Sequence, residues 1–123
     1  MKKKVVVIED DRKNMKLFEA ILLKIPNLTL IKEVDGKQGL ELIKTESPDL
    51  IILDIRLPNL NGIEICKEVR KITRFKEIPI IAITAYAMKG DEKRILKAGF
   101  TKYLSKPLNV KGFRKIILEF LEP

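Results

Sequence analysis

The chain contains no histidine, no tryptophan and a single cysteine. Without histidine it lacks the usual general base near neutral pH, the usual nitrogen ligand for a metal, and any histidine phosphoacceptor. A lone Cys66 excludes an intrachain disulfide or a cysteine-based zinc site, and its helical spacing reads as a small core residue. Aromatic residues are 6% of the chain, and no basic helix carries them interleaved, so nucleic acid is not an expected partner. No apolar run nears the ~20 residues of a membrane-spanning helix. The stretch after Met1-Lys2-Lys3-Lys4 is too short for a signal-peptide core. The expected setting is the cytoplasm, with no membrane contact.

What is present is charge and aliphatic bulk. Lys and Arg number 25 against 17 acids, a net charge of +8, while 46% of the residues are hydrophobic. The excess could attract nucleic acid, acidic membranes or acidic proteins. A well-solvated surface accounts for it without any partner. The length suits one compact domain over residues 1–123, with no linker, low-complexity tract or second domain. Pro123 after the final helical pattern favours a free-standing protein.

Val5-Val6-Val7-Ile8 and Leu50-Ile51-Ile52-Leu53 are apolar without alternation, as strands covered on both faces are. Ile78 to Ile83 is a third such run, with Pro79 near its start. Leu28 to Val34 and Thr101 to Leu104 are diluted by polar residues, as edge strands are. Helical spacing follows each strand: Met15, Phe18, Leu22 and Ile25; Leu40 and Ile43; Ile65, Cys66, Val69 and Ile72. A fourth helix is expected over Met88 to Ala98, closed by Gly99, and a last one with Val110, Phe113, Ile117 and Phe120 inward. Asn61, with Glu64 three residues on, and Asn109 stand at cap positions. Alternating βα units imply right-handed crossovers and a parallel sheet. Placing the polar strands at the edges gives the order 2-1-3-4-5, an α/β, doubly wound (βα)5, flavodoxin-like fold.

All strand C-termini then lie along one edge, which receives Glu9, Asp10, Asp54, Thr84 and, just past the fifth strand, Lys106. Two carboxylates ~4 Å apart repel by about 4 kcal/mol at an effective dielectric of 20. Three demand a cation. Hard oxygen ligands point to Mg²⁺, with Lys106 as a second positive charge. Metal, lysine and the Thr84 hydroxyl suit a transferring phosphoryl group, and Asp54 is placed as the nucleophile.

Four segments carry a resemblance: Ile8-Glu9-Asp10, Leu53-Asp54-Ile55-Arg56-Leu57-Pro58, Thr84-Ala85 and Ser105-Lys106-Pro107. In order and placement they resemble the motifs of response-regulator receiver domains, the CheY-like superfamily, over essentially the whole chain. Residues 84–92 and Asn14 to Phe18 resemble DivK-like single-domain regulators. The resemblance implies that Asp54 accepts phosphate from a sensor histidine kinase or a histidine phosphotransfer protein. It implies metal contacts from Asp10, Asp54 and the Arg56 carbonyl, with Glu9 acting through water. Thr84 and Lys106 would bind phosphoryl oxygens, Tyr103 would be the switch aromatic, and Lys106-Pro107 would be cis. Helix 4, strand 5 and helix 5 would form the output surface for a downstream protein target. A phosphorylation-dependent homodimer is one form that output could take. Glu9 and Leu57 depart mildly from the family pattern. Bulky Arg56 and Tyr86 are expected to shield the acyl phosphate.

Simpler readings stand beside these. Asp11 is an acid favoured at a helix N-terminus; Tyr103 could be edge packing; helix 4 could be a solvated face. A Mg²⁺-dependent phosphohydrolase with an aspartate nucleophile is the alternative function. Haloacid-dehalogenase-like enzymes want an acid two residues after the nucleophile, where this chain has Arg56, and no cap domain follows. A flavodoxin-like cofactor binder would need a Ser/Thr/Gly-rich loop after strand 1, and a degenerate receiver would lack acceptor residues that are present here.

Overall fold

The computed structural model describes residues 2–85 and 91–121. Five parallel strands, β1 (Lys3–Ile8), β2 (Leu28–Glu33), β3 (Leu50–Asp54), β4 (Ile80–Thr84) and β5 (Lys102–Ser105), form one sheet in the order β2-β1-β3-β4-β5. The helices are α1 (Arg12–Leu22), α2 (Gly36–Glu46), α3 (Gly62–Lys71), α4 (Asp91–Lys97) and α5 (Val110–Leu121), with a 3₁₀ turn at Thr73–Phe75.

The unalternating strands follow from a core on each face. Val5, Val7, Leu50, Ile52, Ile81 and Ile83 pack with residues of α1 and α5, including Phe18, Phe113 and Ile117. Val6, Ile8, Ile51, Leu53, Ile80 and Ala82 pack on the other side with residues of α2, α3 and α4, among them Ile43, Ile65, Cys66 and Ile95. Every residue of β3 and β4 is buried, whereas β2 and β5 carry none that is fully so. The polarity argument for the strand order therefore holds.

Several boundaries differ from expectation. β2 stops at Glu33 because its own carboxylate Oε2 accepts the N–H of Val34 (2.8 Å) and of Asp35 (3.2 Å), leaving Val34 exposed. β4 begins at Ile80, after Pro79, whose carbonyl still accepts the Ile51 N–H at 3.0 Å. β5 is shifted by one residue, to Lys102–Ser105. Helix α1 ends at Leu22, and Ile25 is buried from the loop beyond. In α3 Ile72 lies past the last turn in extended backbone and is only half-buried. In α5 Val110 is exposed; the inward stripe is Phe113, Ile117 and Leu121, with Phe120 half-buried. Helix α4 is described over Asp91–Lys97, and the expected start at Met88 lies outside the described residues.

The caps are as the sequence suggested. Asn61 Oδ1 accepts the Glu64 N–H at 2.9 Å, and the Asn61 amide donates to the Glu64 carboxylate, a side-chain version of the capping box. Asn109 Oδ1 accepts the Gly112 N–H at 2.8 Å. Gly99 takes φ +114 after α4, backbone that a residue with a Cβ rarely adopts. Cys66 is wholly buried, and burial pushes its thiol up to about 11.

Candidate functional site

Parallel pairing brings the chemistry to one edge. Ile8 pairs with Leu53, Asp54 with Ile83, and Thr84 with Ser105, so the residues at or just beyond four strand ends are neighbours. Gly62 backs the central one. A methyl group there would overlap the Asp54 carbonyl oxygen, and its N–H donates to the Ile55 carbonyl at 2.9 Å. Asp11 caps α1 by accepting from Lys13 N–H at 2.8 Å, and Asp10 precedes it at the cleft.

Asp54 is buried, and its two oxygens have different partners. Oδ1 accepts the Arg56 N–H at 3.1 Å, and Oδ2 accepts from Lys106 Nζ at 3.0 Å. The same ammonium lies 2.9 Å from Glu9 Oε1. That oxygen is fully buried and receives no directed hydrogen bond, although Glu9 Oε2 accepts the Asp11 N–H at 3.1 Å. Burial and the neighbouring Asp54 push the Glu9 carboxyl up to about 8, against the opposing pull of Lys106. Burial alone would lower Lys106, but its contacts with Glu9 and Asp54 outweigh that and raise it. Lys106-Pro107 is a cis peptide bond.

One oxygen each from Glu9, Asp10 and Asp54 lie within 4.8 Å of one another. Three carboxylates gathered this closely, with no nitrogen or sulfur ligand among them, fit a divalent cation bound by hard oxygens. A cleft of about 390 Å³ opens over them, lined by Asp10, Asp54, Arg56, Ala85 and Lys106. Asp11 and Arg12 line it too. No sequence argument singled out Arg12; the signal was its place at the first turn of α1, directly after a capping acid on the active edge. Thr84 is buried at the end of β4, and Tyr103 is half-buried against the core beneath α3 and α4. Tyr86 lies outside the described residues.

Residues 5–118 match the response regulator receiver domain. The chain belongs to that family. Receivers are the phosphorylation switches of two-component signalling, and nothing favours the phosphohydrolase alternative. This receiver is 40% identical over 121 residues to the polar-differentiation response regulator DivK of Brucella anthropi, covering 98% of each chain. It is 29% identical, with a TM-score of 0.88 and 100% of both chains covered, to the receiver domain of a Pseudomonas aeruginosa sensor histidine kinase, which holds magnesium in its active-site cleft. The chemotaxis response regulator CheY4 of Vibrio cholerae shares the fold, at a TM-score of 0.88 and 23% identity over 98% of this chain and 99% of that one. No helix among the described residues is long and apolar enough to cross a membrane.

Proposed function

We propose that Asp54 is the phosphoacceptor of this receiver, that Mg²⁺ is its cofactor, and that residues 1–123 act as a single-domain switch on a separate protein. The observation that carries this reading is the Lys106 ammonium held between Asp54 and Glu9, beside Asp10, at the mouth of one cleft. Asp10, Asp54 and the Arg56 carbonyl would hold the ion, with Glu9 behind them. When bound, the ion neutralises phosphoryl oxygens and the carboxylates around them.

Transfer is a displacement in which an oxygen of the Asp54 carboxylate forms a bond to phosphorus while the donor's bond to phosphorus breaks. With a phosphohistidine donor the leaving imidazole takes up a proton. Lys106 meets the negative charge that arrives on the phosphoryl oxygens, and the Thr84 hydroxyl donates to one of them. Tyr103 then follows Thr84 inward, and α4, β5 and α5 carry the change to a downstream target or a second copy of the chain. The only chemistry is on the protein itself.

Incubation with Mg²⁺ and acetyl phosphate, followed by intact mass, tests the proposal. One added phosphoryl group, absent in Asp54→Asn, is the expected result. Turnover of many equivalents of a phosphate ester would instead make the protein a hydrolase.

A further inference from the structure

The loop that follows β3, residues 55–61, is held at both ends by its own strand neighbours. Ile55 N–H donates to Ile83 at 3.0 Å, Arg56 N–H to Asp54, and Gly62 N–H back to Ile55. Its middle leans instead on the loop between β2 and α2. Gly36 N–H donates to the Pro58 carbonyl at 3.2 Å, and a methyl at Gly36 would overlap the Leu60 carbonyl oxygen. The Asn59 amide donates to Asp35 Oδ1. Asp35 divides its carboxylate, since Oδ2 accepts the Gln38 N–H at 2.8 Å and caps α2. Asp35 is itself tied down by Glu33 Oε2 at 3.2 Å, and the Glu33 carbonyl accepts the Glu9 N–H at 3.0 Å. Hydrogen bonds therefore run from Glu9 through Glu33 and Asp35 to Asn59 and back to the loop that bears Arg56.

We propose that Asp35 and Asn59, closed over Gly36, are positioning residues that set the Arg56 carbonyl and with it the affinity of the site for a divalent cation. The inference rests on the reading above that this carbonyl is a metal ligand. Mg²⁺ demands near-ideal octahedral geometry at ~2.1 Å, so a ligand on a loop free to drift loses affinity steeply. Partners behind a ligand commonly account for tenfold or more in metal affinity. Asn59 suits the place twice over: its φ of +68 is one that asparagine tolerates better than most residues, and its amide reaches the neighbouring loop.

The test uses the full chain without phosphodonor, with Mg²⁺ titrated and backbone amide shifts followed by NMR. Asn59→Gly removes the amide while suiting the positive φ and leaving the Asp35 cap intact. We expect its Mg²⁺ dissociation constant to rise about tenfold, with the metal-free melting temperature little changed. The exchanged pair Asp35→Asn, Asn59→Asp should recover most of the affinity, because an asparagine still caps α2 and donates to the new carboxylate. Failure of the exchanged pair to recover it overturns the pairing. Asp10→Asn separates the two readings. If it binds Mg²⁺ as tightly as the parent, the metal-site reading falls and the latch with it. If it does not bind while Asn59→Gly binds like the parent, the latch alone falls.

Discussion

The ammonium of Lys106 and Oδ2 of Asp54 lie 3.0 Å apart, across 52 residues of sequence. With Glu9 Oε1 at 2.9 Å, one ammonium is shared between two buried carboxyl groups. Removing one member of a buried charge group costs more than the group contributes, because the rest are left uncompensated. Lys106→Met should therefore destabilise the metal-free protein by about 3 kcal/mol. Mg²⁺ should raise its melting temperature more than it raises the parent's, since the ion replaces the lost charge. An equal Mg²⁺-induced rise in the two proteins would count against this.

Glu9 makes the metal-free stability depend on pH. Its carboxyl titrates near 4.5 when unperturbed and near 8 in the fold, for burial first and Asp54 second. Between those values the folded chain holds a proton that the unfolded chain has lost. Stability must then fall as pH rises through that window and level off above about 8. The raised Lys106 acts outside this window, its contribution being lost only as pH climbs past the ordinary lysine range. Denaturant melts in chelator from pH 5 to 9 should show the decline, and Glu9→Gln should flatten it. Mg²⁺, which favours the ionised carboxylate, should flatten it as well.

Thr84 is buried where β4 meets the cleft edge. Loss of one donor to a charged transition-state oxygen typically costs about a hundredfold or more. Thr84→Ala should slow phosphorylation by acetyl phosphate about a hundredfold, while Thr84→Ser stays near the parent. Rates from intact mass decide it, and an alanine variant as fast as the parent removes the hydroxyl from the reaction.

Arg56 is exposed and lines the cleft two residues beyond Asp54. A bulky side chain there hinders attack of water on an acyl phosphate. The Arg56→Ala, Tyr86→Ala double variant should lose its phosphoryl group several-fold faster than the parent, as followed by mass after removal of the donor. Equal lifetimes would leave shielding without support.

Gly62 admits no side chain, since a Cβ would meet the Asp54 carbonyl oxygen. Gly62→Ala should cost about 2 kcal/mol in urea melts, within the range for overpacking a closed site. It should also weaken phosphorylation, because relief of the overlap displaces Asp54.

Local chemistry was enough for the architecture. Four aliphatic residues from Leu50 to Leu53, bounded by Pro48 and Pro58, read as a strand covered twice, and Thr29, Lys32 and Glu33 suit an edge. The register of a parallel sheet then carries Glu9, Asp10, Asp54, Thr84 and Lys106 to one side, so this cluster is legible in the chain alone. Arg12 escaped notice because facing a cleft is not a property of a residue's neighbours in the chain. Val110, expected inward, is instead exposed, because helical spacing predicts a face but not how far the last strand's loop turns before the helix begins.

Residue types and strand polarity dictated that carboxylates, a hydroxyl and a lysine would meet. Only packing decided that Glu9, and not Asp10, is the fully buried acid and shares the Lys106 ammonium with Asp54. Packing alone also joined Asn59 to Asp35 across two loops. The reason is range. Backbone preference and apolar spacing act over a few residues and are written in order along the chain. Burial and hydrogen-bond pairing depend on surfaces that come together only when the whole sheet has closed.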